Sequence, residues 1–191
     1  MAFFTARVEY ALHTILNLHR AEPGGTPSSR ELAEFQRLPL AFTRRLLTQM
    51  EKAGLICGGE GLHGGWRLAR PAGEITVLDV ADAAQGGDEL FECRNIRRLC
   101  ALWPDDAPPA SATAGVCSIH AVMLRAEAAM RHELASTTIA QLAGEVRAKG
   151  ARGSQAAVPV WFAEQYRNRG TRRDRDRGAP PRHTTRRTGD G

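Results

Sequence analysis

The sequence contains no hydrophobic run long enough to span a membrane, and its first residues, MAFFTARVEYALH, lack the pattern of a secretory signal peptide. Only four of its 191 residues are cysteine and 6% are aromatic, whereas 42% are hydrophobic, which is enough for a folded core. We therefore expect a cytoplasmic protein with no membrane partner. Its thiols are expected to be reduced or bound to metal rather than paired in disulfides.

The chain also lacks the residue patterns of an enzyme. No nucleophile–base pair and no pair of carboxylates stands at a convincing catalytic spacing. The glycines at 58–65 do not lie between a strand and a helix, as the glycines of a phosphate-binding loop do. We therefore predict that the protein is not an enzyme.

The net charge of +5 comes from one end of the chain. Residues 151–191 hold ten arginines and four acidic residues, whereas the preceding chain holds sixteen basic residues and seventeen acidic ones. Any affinity of the folded part for nucleic acid must therefore come from the local placement of arginines, because its overall charge is close to neutral.

Residues 28–68 predict a helix, a turn, a second helix and a glycine-rich hairpin. Ser28 and Glu31 have the spacing of a capping box, and Pro39 suits the first turn of the second helix. Gly54 is suited to end that helix. The second helix places Phe42, Leu46, Leu47 and Met50 on an apolar face and Thr43, Arg44, Gln49 and Lys52 on the opposite face, with Arg45 at its flank.

This order of elements is typical of a winged helix-turn-helix, whose second helix enters the DNA major groove while the hairpin reaches the neighbouring backbone or minor groove. Two amphipathic helices with a glycine-rich turn also occur in small helical domains, and a protein-interaction module is an alternative. Arg44 is the first candidate for a guanine contact, and Arg45 is the second or a phosphate clamp. The full set of candidate DNA-contacting residues is Ser28, Ser29, Arg30, Ala41, Phe42, Thr43, Arg44, Arg45, His63, Gly64 and Arg67.

Other segments predict helices on either side of this unit. Residues 3–20 have a helical apolar stripe, 77–85 predict a short helix ended by Gly86, and 74–76 could form an edge strand. A long helix is predicted for 118–134 and a short one for 136–146. The long helix carries one apolar stripe, which suits packing against the same helix of a second copy or against its own core: Ile119, Val122, Met123, Ala126, Met130 and Leu134.

The predicted fold is mainly α-helical with a small β-hairpin wing and a long dimerisation helix. We expect a winged helix-turn-helix domain at 1–85, a cysteine-containing loop at 86–117 and the dimerisation helix with a short C-terminal helix at 118–147. Residues 148–191 are rich in Arg, Gly and Pro, which predicts a disordered tail that either is simply solvated or adds non-specific attraction to DNA. Within it, VPVWFAEQY at 158–166 is an apolar island that could dock on the fold.

Several of these motifs together resemble the IscR/NsrR-type winged-helix regulators of bacteria, a group that includes iron–sulfur-sensing repressors. The matching motifs are VEYALHTILNL, ELAEFQRLPLAFTRRLLTQMEKAGLI, GGWRLARP and EITVLDVADAAQG, followed by cysteines and a helix ending in STTIAQL. The resemblance covers about residues 3–145. The wing departs from the family, because Cys57 and Glu60 stand where basic residues are common.

The resemblance implies an iron–sulfur cluster on Cys93, Cys100 and Cys117, with [2Fe–2S] favoured over [4Fe–4S]. The sixteen residues between Cys100 and Cys117 exceed the family's compact spacing, and Cys93 and Cys117 match the family's outer positions best. In a branch similar to the redox regulator RsrR, a Glu and a His from the partner's first helix complete the site; here these would be Glu9 and His13. His120 is the alternative fourth ligand. Zinc on the same residues is a further alternative.

The function implied is that of a homodimeric transcriptional regulator, expected to be a repressor, that binds a double-stranded DNA operator. It would sense redox state, nitric oxide or iron–sulfur status through the cluster. Because some members of the family have lost the cluster, the alternative is a winged-helix regulator that senses through cysteine thiols or a small molecule.

Overall fold

A computed structural model of the chain describes residues 4–22, 25–61, 64–86, 93–94, 96–99, 101, 103, 107–149 and 154–169. None of the helices in these ranges is long and apolar enough to cross a membrane. The helices are α1 (Ala6–Ala21), α2 (Ser29–Gln36), α3 (Leu40–Lys52), α4 (Val77–Gln85), α5 (Ala110–Thr113), α6 (Ser118–Ser136), α7 (Ile139–Lys149) and α8 (Ser154–Arg167); the strands are β1 (Ile56–Gly58) and β2 (Trp66–Leu68).

The core forms around α1, whose apolar stripe is buried by α3, α4, α7, α8 and β2. Ala11 and Ile15 are fully buried, as the 3.6-residue period predicts. Thr14 is the polar exception inside this core. Its hydroxyl donates to the carbonyl of Tyr10 and accepts from the side-chain amide of Gln36, so its burial leaves no unpaired group.

The predicted helix-turn-helix is confirmed. At the start of α2, the amide of Glu31 donates to Oγ of Ser28 and the amide of Ser28 donates to the Glu31 carboxylate, which completes the predicted capping box. Helix α2 ends at Arg37, which adopts the left-handed conformation with φ 54°. Pro39 is the N-cap residue of α3, one position before the helical turn in which it was predicted.

The predicted hairpin is confirmed as an antiparallel pair in which Ile56 faces Leu68 and Cys57 faces Arg67. Each strand has only three residues, and a two-stranded hairpin of this size is marginal in isolation. Its stability must therefore come from the helices on which it packs. We call residues 56–68 the wing.

Helix α4 connects the long helix α6 to the rest of the fold, since it packs on α1, α3 and α6. Arg131 of α6 donates two hydrogen bonds to the Asp82 carboxylate of α4, at 3.0 and 2.7 Å. The prediction of α4 is confirmed at both ends, including Gly86 with φ 90°. The edge strand predicted for 74–76 is wrong: Ala72–Glu74 form a 3-10 turn, and Thr76 makes an isolated bridge to Thr138.

The prediction of disorder from residue 148 onward is wrong for α8. This helix follows α7 and packs against α1, with Val158 and Phe162 buried at four-residue spacing. The suggestion that the apolar island 158–166 docks on the fold is confirmed. Local patterning argued against this helix because Pro159 lies in its interior, where it removes a backbone hydrogen bond.

Candidate nucleic-acid interface and cysteine segment

The surface of α3 presents a pair of arginines. Arg44 and Arg45 are exposed, as is Ala41 at the start of the helix. Leu46, Leu47 and Met50 point the other way and are almost fully buried, which fixes the rotation of the helix about its axis. The arginines can therefore approach DNA without any rearrangement of the core.

Three other side chains of α3 make contacts within the protein itself. The prediction that Thr43 lies on the exposed face is wrong, since it is fully buried and its hydroxyl donates to the carbonyl of Pro39 at 3.2 Å. Phe42 is half-buried and packs edge-to-face on Tyr10, with ring centroids 5.6 Å apart. Gln49, assigned to the polar face, accepts a hydrogen bond from Arg7 of α1 at 2.7 Å. Each of these side chains has a structural role.

The start of α2 is bonded to the wing. Ser28 caps the helix, while Oγ of Ser29 accepts a hydrogen bond from the indole N–H of Trp66 at 2.9 Å. The exposed Arg30 follows. This end of α2 thus brings the predicted phosphate-contacting residues and the base of the wing together, and Trp66 is a contact that sequence reasoning missed.

The wing places Arg67 on β2 with its side chain exposed. The carbonyl of Gly64 accepts a hydrogen bond from Arg169, so this glycine is engaged by the protein itself. His63 lies outside the described residues. Cys57 is half-buried on β1, and its thiol lies 4.0 Å from the carbonyl of Leu68.

Sequence reasoning also missed Arg169, because it lies beyond every recognised motif. Its guanidinium donates to both carboxylate oxygens of Glu31, at 2.9 and 2.6 Å. Burial disfavours the charged form of Glu31, but the hydrogen bonds from Arg169 and from the Ser28 amide outweigh it and lower the pKa of the carboxyl below its ordinary value of 4.5. Glu31 is therefore a buried carboxylate, with Arg169 as its counter-ion.

The cysteine segment is only partly described. Cys93 and Cys117 are half-buried free thiols, whereas Cys100 lies outside the described residues. Arg97 donates to the carbonyls of Thr113 and Gly115, which ties the segment after Cys93 to the loop before Cys117. Within the described part of the chain, no three His, Cys, Asp or Glu side chains meet at metal-binding distance.

Cys117 immediately precedes α6, at the positive end of the helix. The backbone N–H groups of His120 and Ile119 favour the thiolate, with Arg97 adding a smaller contribution, and together they lower the pKa of Cys117 below its ordinary value of 9.0. A thiolate is the form that both metal binding and thiol chemistry require. His120 itself is half-buried in the first turn of α6.

Glu9 and His13 are exposed on α1, four residues apart and on one face, as predicted. Glu9 also lines a cleft of about 450 Å³ between the start of α1, α4 and the end of α6. The rest of this lining is mostly apolar and includes Val8, Leu12 and Leu134. The single chain therefore places the Glu9 carboxylate at the edge of an open, mostly apolar cleft.

The chain matches known regulators over most of its length. The Rrf2 family model, described as iron-dependent transcriptional regulator, matches residues 4–145. A predicted HTH-type transcriptional regulator of Mycobacterium tuberculosis is 30% identical over 140 residues, which cover 73% of this chain and 80% of that protein. IscR of Cronobacter sakazakii is 26% identical over 90 residues, 47% of this chain and 56% of IscR.

Solved structures agree on the fold. The global cysteine regulator CymR of B. subtilis superposes with a TM-score of 0.56 at 22% identity, covering 76% of this chain and 98% of CymR. IscR of T. potens gives a TM-score of 0.57 at 20% identity, covering 80% and 94%. These structures confirm the predicted winged-helix fold. The family match confirms the expectation of a regulator rather than an enzyme. Rrf2 regulators bind DNA, and this chain belongs to the Rrf2 family of transcriptional regulators.

Proposed function

We propose that the protein is a homodimeric repressor that binds a double-stranded DNA operator through α3 and the wing, and whose affinity responds to a cluster or thiol signal. The observation that carries the DNA-binding part is the pair of exposed arginines on α3, whose orientation is fixed by the buried apolar face of that helix. Arg44 is assigned to a base edge and Arg45 to a second base or a phosphate.

Dimerisation is supported by the exposed face of α6. No side chain of this helix is buried in the described chain, and Ile119 and Val122 are 65% and 52% exposed. Apolar side chains at helical spacing are stabilised when a second helix covers them. A two-fold dimer would present two α3 helices to two half-sites, as helix-turn-helix dimers do.

Arg44→Ala tests the DNA contact. The probe is a duplex that the wild-type chain selects from a random library of about 30 base pairs, or three helical turns. We expect Arg44→Ala to weaken binding by about 1–3 kcal/mol and to relax specificity at one base pair. Lys52→Ala, which removes an exposed cation from the other end of α3, is the control. Equal affinity and base preference in the two variants would contradict the assignment.

The proposal of an iron–sulfur cluster rests on the side chains that could bind its iron atoms. Cys93, Cys100 and Cys117 would supply thiolates, and the lowered pKa of Cys117 suits it to iron. Glu9 and His13 of the partner, or His120, would complete the set. Bound there, an iron–sulfur cluster would supply an electron-accepting centre, of higher potential where imidazole replaces thiolate.

The packing of α4 offers a route from the cysteine segment to DNA. Helix α6 is joined to α4 by the Arg131–Asp82 pair, and α4 also packs on α1 and α3. A shift of α6 would therefore change the angle between the two α3 helices of a dimer. Such a coupling is typically about 1–3 kcal/mol, enough to change operator occupancy.

An absorption spectrum with iron and sulfide assays, on protein purified without oxygen, tests the cluster. Visible bands that bleach on dithionite, with about two irons per chain, are the expected result for a [2Fe–2S] centre. His13→Ala and His120→Ala then identify the histidine ligand, because only the true ligand's loss alters the spectrum. Colourless, iron-free protein after reconstitution would contradict the proposal.

Direct sensing by thiols is the second candidate, favoured by the position of Cys117 at the start of α6. Because its pKa is lowered, Cys117 should react with iodoacetamide at a lower pH than an ordinary thiol. Mass spectrometry of the iron-free protein would show this, with half-buried Cys57 as the internal comparison. Equal rates at Cys117 and Cys57 across the pH range would contradict this candidate.

A further inference from the structure

Helix α8 lies outside the family match, which ends at residue 145, yet it is docked firmly on the fold. Phe162 is 2% exposed, and its ring centroid lies 4.9 Å from that of Phe35 on α2. Trp161 packs on the same ring at 5.0 Å. The helix is therefore a built part of the folded unit, packed on α1 and on the Phe35 ring of α2.

Arg169, just past the end of α8, joins three segments. Its guanidinium donates to the Glu31 carboxylate on α2, to the carbonyl of Gly64 in the wing at 2.6 Å and to the carbonyl of Thr26 before α2 at 2.6 Å. The side chains of Arg169 and Glu31 are only 10% and 5% exposed. A buried, multiply bonded guanidinium of this kind holds its partners in one geometry.

The orientation of Arg169 is itself fixed. Its guanidinium lies 4.7 Å from the centre of the Tyr166 ring, and that ring packs against Gly25, where an added Cβ would lie 3.0 Å from Cδ2. Gly25 has φ +122°, a conformation that other residues rarely adopt. The loop before α2 is thus shaped to receive the end of α8.

The wing needs such support. It has three residues in each strand, and its contacts to α2 are few: the Trp66 amide donates to the carbonyl of Pro27 at 2.8 Å and its indole to Ser29. These contacts lie at the start of β2. Gly64, which Arg169 holds, is nearer the tip.

We propose that α8 and Arg169 form a brace that fixes the wing against the start of α2 in the position used on DNA. Arg169 is then a positioning residue for DNA binding, and it also neutralises Glu31 at the helix end nearest the predicted phosphate contacts. The inference rests on the proposed use of α3 and the wing, and adds to it a segment that the family match does not include.

The test compares Arg169→Ala with Arg167→Ala in the full chain. Arg167 is an exposed arginine at the end of α8, so its loss removes the same charge and leaves the hydrogen bonds of Arg169 in place. Binding to the selected duplex is measured with hydroxyl-radical footprints. We expect Arg169→Ala to bind about tenfold more weakly, the loss that follows if the wing holds its binding position about one tenth of the time. Protection should be lost at the flank contacted by the wing and retained in the major groove contacted by α3.

Arg169→Lys separates geometry from charge. Lysine keeps the positive charge but lacks the fork that bonds two carboxylate oxygens and two carbonyls together, so we expect it to resemble Arg169→Ala. If Arg169→Ala fails to fold, Glu31→Gln serves instead, with a smaller loss in the same direction expected. Equal binding by the Arg169→Ala and Arg167→Ala variants, tighter binding by Arg169→Ala, or a uniform loss across the footprint would overturn the brace.

Hydrogen exchange of the free protein tests the brace without DNA, so a failure of the brace can be told from a failure of DNA binding. With the brace removed, the amides of Trp66 and Gly59, which bond to Pro27 and Gly65, should exchange at least several times faster than in Arg167→Ala. If the wild-type chain bound no duplex, the proposed function would fail, and unchanged exchange at these amides would separately overturn the brace.

Discussion

The α2–wing junction and helix α6 differ in how completely a single chain covers their apolar side chains. At the α2–wing junction, a buried ion pair and backbone hydrogen bonds join the segments, and the buried ring of Phe162 packs on Phe35 at the other end of α2. Along α6, Ile119 and Val122 stand in solvent, and the described contact to the fold is largely through α4. The first surface is covered by helix α8 of the same chain, whereas the second has the exposed apolar character of a surface that a second copy would cover.

This difference shows why similar apolar patterns on α6 and α8 have different consequences. In α8, Val158 and Phe162 find a groove beside Phe35 within the same chain. In α6, the stripe is longer than the domain beneath it can cover. Changes in α8 should therefore act on the stability of the monomer, and changes in the α6 stripe on association.

Phe162→Ala in α8 should produce the largest effect, a loss of unfolding free energy. Removing a buried aromatic ring from a packed site costs about 3–5 kcal/mol. Urea unfolding measures the loss, with Val160→Ala as the control, because Val160 is 54% exposed on the same helix. A loss of under about 1 kcal/mol for Phe162→Ala would show that α8 is not part of the cooperative core.

Val122→Asp in α6 should weaken dimerisation. A charge placed at the centre of the proposed α6 interface would lack a partner there, so we expect the dimer to weaken by at least about 2 kcal/mol. Sedimentation equilibrium measures this, with Ala128→Asp on the opposite side of the helix as the control. Monomer stability should change by no more than about 0.5 kcal/mol, since Val122 is exposed in the single chain. A Val122→Asp dimer as tight as that of the control would remove α6 from the interface.

The smallest expected effect is a pH dependence at the brace. The pKa of Glu31 is lowered on folding, so its contribution to stability is present above about 4.5 and is lost as the pH falls through the folded value. The difference in unfolding free energy between wild type and Glu31→Gln should be largest near pH 7 and should shrink in acid. Glu74→Gln, at an exposed carboxyl, is the control. A difference that stays constant from pH 7 to pH 3 would mean that the Glu31 charge does not stabilise the brace.

Local patterns were sufficient where neighbouring residues determine the structure. The capping box of Ser28 and Glu31, the stop at Gly86 and the position of the short hairpin all follow from chemistry within a few residues. The exposed positions of Arg44 and Arg45 follow from the buried face opposite them. The prediction for Thr43 was wrong because its hydroxyl donates a hydrogen bond to the carbonyl of Pro39, four residues earlier. This bond allows the polar side chain to be buried.

The sequence determined the features that depend on residues near one another in the chain, and the tertiary structure decided the contacts between distant residues. By itself, the sequence determined the helix-turn-helix, the wing, the arginine pair and the spacing of the cysteines. Only the tertiary structure brought Arg169 to Glu31, 138 residues away, and placed α8 on α2 despite Pro159 in its interior. The physical reason is that burial of Phe162 and a multiply bonded guanidinium outweigh a local helix penalty, and no local pattern reports contacts over such a separation.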